Sequence, residues 1–324
     1  MMLFTKSTHH LSIKYLFFMI IGVYSFALFC FSENNVFWHF VNRLFGFKVH
    51  SGFEISNFKL SMDACLSKQK VLYGVFTTLN KVVTRNILRR YGKMCKLNGE
   101  TYKTVFVVGK PKTHEDYEIL INEMELHNDI FVLSCEENMN EGKTFFFFKE
   151  AAKQMSCFDY YAKVDDDTAF VPQSISGVLM DDPGERMLYI GRAPDSVDTN
   201  PWWIYVKLYF KWNLRDMMWV YDVKSYHAGM LYILSKQAVT AWINLNATDL
   251  YGDEDYRTSY YMTKVGSTML HMDTKFHDYW KYVTWGGGHW KRNITNESLA
   301  IHQCKKPADY SSALLELCSV HANQ

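Results

Sequence analysis

Between residues 71 and 171, apolar β-branched runs alternate with segments of helical spacing. Stretches 71–77, 102–108 and 129–133 read as strands, and 85–96, 115–126 and 143–155 read as helices. In 115–126, Ile119, Leu120 and Met124 recur at helical spacing among acidic residues. In 143–155, the run Phe145-Phe146-Phe147-Phe148 makes the helix apolar on most faces, which predicts burial rather than a binding surface. A further β-prone stretch, 160–171, carries three carboxylates in its middle. This β-α-β-α-β-α-β order predicts an α/β fold with a mainly parallel sheet flanked by helices. Ligands of such sheets bind beyond the carboxyl ends of the strands.

The triplet Asp165-Asp166-Asp167 lies at such an end. If the strand continues through it, alternation puts Asp165 and Asp167 on one face and turns Asp166 away. Hard carboxylate oxygens sharing a face suit Mg²⁺ or Mn²⁺, which complete their shells with water and substrate phosphates. A solvated acidic turn is the plain alternative, since charged residues mostly stay exposed. The apolar residues on both sides weigh against it.

The amino-terminal region carries a different signal. Residues 15–32 form an uncharged run rich in Phe, Leu, Ile and Val, about 27 Å long as a helix, enough to cross a hydrocarbon core. Lys6 and Lys14 precede it, so the positive-inside rule predicts a single-pass type II protein. The expected divisions are a cytosolic tail (1–14), a signal anchor (15–32), a stem (33–68) and a lumenal catalytic domain (69–324). Ser25-Phe26-Ala27 offers a cleavage site, and a cleaved signal peptide would leave the body in the same lumen. The sequons beginning at Asn246, Asn293 and Asn296 agree with that compartment. Of seven cysteines, Cys30 lies in the apolar run, leaving Cys65, Cys95, Cys135, Cys157, Cys304 and Cys318, an even set with fifteen conceivable pairings. A formal net charge of +1 and interspersed charges leave no basic stripe, which argues against nucleic acid as a partner.

Several segments in order resemble the β-1,3-galactosyltransferase family. Arg85-Asn86-Ile87-Leu88-Arg89-Arg90-Tyr91-Gly92 is similar to its first motif, and Lys163-Val164-Asp165-Asp166-Asp167-Thr168-Ala169-Phe170-Val171 closely resembles its acidic motif. Gly229-Met230-Leu231-Tyr232-Ile233-Leu234-Ser235, Glu254-Asp255-Tyr256 and His302-Gln303-Cys304-Lys305-Lys306-Pro307 follow in the family's order. This chain departs from the pattern at Arg90-Tyr91, His227-Ala228 and Ser259, positions that bear on donor and acceptor preference. The stretch Trp285-Gly286-Gly287-Gly288-His289-Trp290 resembles divergent protozoan members.

The resemblance implies a type II Golgi membrane enzyme with a lumenal catalytic domain of the GT-A kind. Such an enzyme would use Mn²⁺ or Mg²⁺ to move galactose or N-acetylglucosamine from a UDP-sugar to a glycan or glycoprotein acceptor, with inversion. By the same resemblance Asp167 and His302 hold the metal, Asp165, Asp166 and Gly229 meet the donor, Asp255 is the general base, and Glu254 orients the base or contacts the acceptor. Each has a plainer reading. The pair Glu254-Asp255 suits the positive end of a helix dipole. A lone histidine after Leu299-Ala300-Ile301 suits a core. Arg85 and Arg89 could attract phosphate or face solvent.

Of nine tryptophans, all but Trp38 fall between Trp202 and Trp290. Any single one is more often core than sugar platform. Trp285 and Trp290, which flank three glycines, are the acceptor-contact candidates. A sugar-binding relative without catalysis is the second reading, favoured if Asp167, Asp255 or His302 fails to converge. Asp-rich phosphohydrolases and prenyl synthases need Thr or Asp where Ala169 stands, and neither pattern is met.

Overall fold

The computed structural model describes residues 71–92, 101–179, 186–193, 226–247, 253–272, 275–277 and 294–321. All lie in the compact unit Phe58–Gln324. The run 15–32, the stem, Asn293, Trp285 and Trp290 lie outside the described residues. Among the described residues, no helix is long and apolar enough to cross a membrane.

In chain order the elements are β1 (Val71–Phe76), α1 (Val82–Gly92), β2 (Tyr102–Lys110), α2 (His114–His127), β3 (Ile130–Glu136), α3 (Lys143–Gln154), β4 (Tyr160–Asp165), β5 (Ala169–Phe170) and α4 (Pro172–Leu179). There follow β6 (Leu188–Gly191), β7 (Leu231–Ser235), α5 (Lys236–Asn244), α6 (Glu254–Lys264), β8 (Thr268–His271), β9 (Phe276–His277), β10 (Ala300–Ile301) and α7 (Pro307–His321). Seven strands form one sheet in the order β3-β2-β1-β4-β7-β6-β8. It is mainly parallel, as expected, but β7 runs antiparallel between β4 and β6.

Both faces of the sheet are packed. Alternate residues of β1 go to opposite cores: Val71, Tyr73 and Val75 to one, Leu72 and Phe76 to the other. The second core receives the apolar helix α3, whose Phe145, Phe147 and Phe148 are buried with Trp242 of α5. The core reading thus holds for that tryptophan, as burial does for the phenylalanine run.

Helix α1 begins at Val82, earlier than expected, because Lys81 closes a turn onto Thr78 and then accepts from the Arg85 N–H. Two of its arginines, Arg85 and Arg89, are engaged by carboxylates, while Arg90 is exposed. Arg85, 1% exposed, forms a fork with Glu123 at 2.8 and 2.6 Å and donates to the carbonyls of Thr78 and Leu79. Arg89 pairs with Asp129 and with Glu123. These residues of the first motif fasten α1 to α2 and shape the loop that presents Lys81.

The β-prone stretch 160–171 divides at its acidic triplet, which stands at a strand end as expected. Three successive carboxylates cannot be paired in a sheet interior, and β4 stops at Asp165 with a turn in which the Thr168 N–H donates to the Asp165 carbonyl at 3.0 Å. The chain then enters a small second sheet, β5-β10-β9. Not all six candidate cysteines are paired: Cys157 and Cys318 are in disulfides, while Cys135 and Cys304 are free thiols. The sequon residues Asn246 and Asn296 are exposed.

Candidate active site

The site forms where β1 and β4 end side by side, Phe76 in register with Asp165. Its acidic turn is held from three directions. The Asp165 N–H donates to the Met230 carbonyl at 3.0 Å, tying the turn to the entry of β7. The Cys304 N–H donates to the Asp167 carbonyl at 2.8 Å, and Tyr310 on α7 donates its hydroxyl to the Thr168 carbonyl at 2.9 Å.

These ties explain how a histidine distant in sequence reaches the aspartates. Strand β10 pairs with β5 just after the turn and with β9 on its other side, and the His302 N–H donates to the His277 carbonyl. His302 Nε2 then stands 3.2 Å from Asp167 Oδ1 and 3.8 Å from Asp165 Oδ2. The side chains of Asp165, Asp167 and His302 are 29, 21 and 21% exposed, so His302 is not enclosed in a core and the cluster is open to an ion. One ligand atom from each lies within 4.8 Å of the others, a set that could hold a divalent cation. Two hard carboxylate oxygens and one imidazole fit Mn²⁺ by donor chemistry. Asp165, expected at the donor, therefore joins the two residues expected at the metal.

Asp165 and Asp167 do meet, but strand alternation is not the cause, since Asp167 lies in the turn. Asp166 is drawn aside by Lys81, whose Nζ stands 2.6 Å from its Oδ1. Burial raises the Asp167 carboxyl, but the hydrogen bond and charge of His302, with Lys305 and Lys81, outweigh it and hold the group below its ordinary range. Asp165 is raised, first by burial and then by the charge of Glu254, against the pull of Lys163.

The second acidic group opens α6. Asp253 caps this helix by accepting from the Asp255 N–H, so the dipole-favoured position is real, but the next two carboxylates are engaged elsewhere. Glu254 accepts from Lys163 at 3.0 Å and from the Tyr232 hydroxyl. Asp255 Oδ2 accepts from the Gly229 N–H at 2.8 Å, while its enclosed Oδ1 meets no hydrogen-bond donor among the described residues. Burial, then the charge of Glu254, drives the Asp255 carboxyl well up, whereas burial of Glu254 is outweighed chiefly by Lys163 and its net shift is downward. Gly229, expected to admit the donor, makes a close approach to Asp255 and Lys163.

The residue that sequence reasoning passed over is Lys163. It is 1% exposed and bonds Asp165 Oδ1 at 2.7 Å, Glu254 Oε2 at 3.0 Å and the Gly229 carbonyl at 2.6 Å. A lysine two positions before an acidic triplet, within an otherwise apolar strand, was the available signal: a buried cation needs anionic partners.

A family model described as galactosyltransferase matches residues 84–275, more than half of the chain. The chain belongs to the galactosyltransferase family. The match runs from α1 to the segment after β8 and includes the acidic turn, Lys163, Gly229 and the start of α6; His302 lies beyond it. Similar relatives are the probable beta-1,3-galactosyltransferases 13 and 12 of Arabidopsis thaliana. The first is 29% identical over 174 residues, covering 52% of this chain and 46% of the relative. The second is 30% identical over 179 residues, covering 53% and 44%. The chain spans about half the length of the curated relatives it matches.

Among solved structures, a glycosyltransferase involved in glycosylation of the major capsid of PBCV-1 has a TM-score of 0.39 and 12% identity, over 76% of this chain and 98% of that one. The galactosyltransferase LgtC in complex with donor and acceptor sugar analogs has 0.39 and 9%, over 78% and 95%. These likenesses are too low to argue from.

Proposed function

We propose that this chain is a metal-dependent, inverting glycosyltransferase of the GT-A type. It moves galactose or N-acetylglucosamine from a UDP-sugar to a hydroxyl of a glycan acceptor, forming a β-1,3 linkage. The observation that carries this reading is the convergence of Asp165, Asp167 and His302 at the strand ends of a galactosyltransferase-family chain, beside the acidic start of α6.

In this reading Asp167 and His302 hold Mn²⁺ or Mg²⁺, with Asp165 facing the same space. The ion, when bound, neutralises charge on the diphosphate leaving group. Asp255 accepts the proton of the attacking hydroxyl, and its upward shift makes it the stronger proton acceptor once ionised. Glu254, tied to Lys163 and Tyr232, orients that carboxylate and the acceptor. The enzyme is favoured over a non-catalytic relative because Asp167 and His302 converge, with Asp255 linked to the same cluster through Gly229 and Lys163.

The proposed setting is the Golgi lumen, behind a single-pass type II anchor at 15–32. The disulfides at Cys157 and Cys318 support an oxidising compartment. A donor screen with purified protein tests the function: release of UDP from a panel of nucleotide sugars, with and without Mn²⁺ and glycan acceptors. Acceptor-stimulated, Mn²⁺-dependent release from UDP-galactose or UDP-N-acetylglucosamine is expected. Silence with every UDP-sugar and acceptor would end the proposal.

A further inference from the structure

Asp165 ends β4, Glu254 opens α6, and the Gly229 turn leads into β7; one side chain touches all three. On β4, Lys163 lies two residues before Asp165 and shares its face. An ammonium has three N–H donors, and here its three partners are Asp165 Oδ1, Glu254 Oε2 and the Gly229 carbonyl. With its donors spent and 1% of its side chain exposed, Lys163 has no hydrogen bond to offer a diphosphate. Its Nζ lies 5.9 Å from the Phe76 ring centre and 5.5 Å from that of Tyr232, which close the site around it.

Resting on the function proposed above, we infer that Lys163 is a positioning residue that holds the donor-side and acceptor-side carboxylates in register while touching neither substrate. By occupying Asp165 Oδ1 it leaves Oδ2 as the oxygen turned to Asp167 and His302. With the same ammonium it fixes Glu254 and the turn whose Gly229 N–H donates to Asp255. Remove it, and Asp165 and Glu254 lose the cation between them and repel. Losing an outer partner of a metal ligand typically costs about 10- to 100-fold in affinity or activity. Here the loss should appear on both sides of the reaction.

The test uses the full chain and Lys163→Met. Mn²⁺ binding is followed by electron paramagnetic resonance, UDP with Mn²⁺ by calorimetry, and acceptor KM by turnover at saturating donor. The expected result is affinity for Mn²⁺–UDP weakened by about 10-fold or more, a raised acceptor KM, and a retained cooperative melt. Lost donor affinity with an unchanged acceptor KM would make Lys163 a donor ligand and overturn the inference, as would no change in either. If Lys163→Met does not fold, Lys163→Met/Glu254→Gln, which removes one of the stranded carboxylates, is compared with Glu254→Gln alone. The double variant should bind Mn²⁺–UDP about 10-fold more weakly than the single; equal affinities overturn the inference. A wild-type chain that binds no Mn²⁺–UDP overturns both this inference and the proposed function, whereas wild-type binding with an unaffected variant overturns this inference alone.

Discussion

The Gly229 N–H donates to Asp255 Oδ2 at 2.8 Å, and the absent side chain of Gly229 is what lets the carboxylate come so close. A methyl group there would overlap Asp255 Oδ1 and stand 2.8 Å from Lys163 Nζ. Lys163 is not free to yield, since Asp165 and Glu254 hold it, and Asp255 is enclosed by burial. Gly229→Ala is therefore expected to displace Asp255 and lower transfer by about 100-fold, the scale of a 1 Å misplacement. Wild-type turnover in this variant would show that Asp255 need not sit where Gly229 puts it.

Asp255→Asn keeps the shape of the side chain but cannot take a proton. Transfer should fall by about 10²- to 10⁴-fold, the range of general acid-base help, while Mn²⁺–UDP affinity stays near wild type. Calorimetry and a transfer assay on one preparation separate the two effects. Equal losses would assign Asp255 to donor binding or to the scaffold.

Asp167→Asn removes one charged member of the Asp165, Asp167, His302 cluster and is expected to abolish Mn²⁺-dependent turnover without unfolding the chain. His302→Ala should weaken Mn²⁺ binding by about 10-fold or more, since even outer partners of a metal ligand reach that scale. Unchanged Mn²⁺ affinity in both variants would remove the ion from this cluster.

The Arg85–Glu123 pair concerns stability rather than catalysis. Burial of Glu123 raises its pKa, but hydrogen bonds from Arg85 and Arg89 outweigh burial and bring it below the ordinary 4.5. A carboxylate depressed in the folded state adds stability that is fully present above its unfolded value and lost as pH falls through the folded one. The advantage of wild type over Glu123→Gln in a denaturation experiment should thus be full at pH 7 and shrink once the pH drops below 4.5. Arg85→Met is expected to cost about 3–5 kcal/mol at neutral pH, the usual result of stripping one partner from a buried pair. A wild-type advantage that stays constant down to about pH 3 would falsify the linkage.

Much of the architecture is written in local pattern. The alternation of β-branched runs with helical spacing up to residue 155 announces the parallel part of the sheet, because strand and helix periods are properties of chain neighbours. The acidic triplet, the pair Glu254-Asp255 and the late His302 are visible for the same reason: an unusual density of charge beside apolar sequence marks groups that need partners. Pattern placed the triplet at the end of β4 but did not reveal the turn that brings Asp167 beside His302, since strand alternation alone would also have put Asp165 and Asp167 on one face.

What the sequence by itself determined was the order of the elements up to the acidic turn and the residues in which charge is concentrated beside apolar sequence. The tertiary structure decided which charges meet. Arg85 and Arg89 read as phosphate seekers or solvated residues until Glu123 and Asp129 are found against them. Lys163 reads as an oddity in an apolar strand until Glu254, 91 residues away in sequence, is found on its ammonium. Sequence states the charge a residue carries; its work depends on the groups within about 4 Å, where the interaction is strong. At such long separations that neighbourhood is set by sheet order and by turns, here by β7 entering between β4 and β6 and by β10 returning to β5.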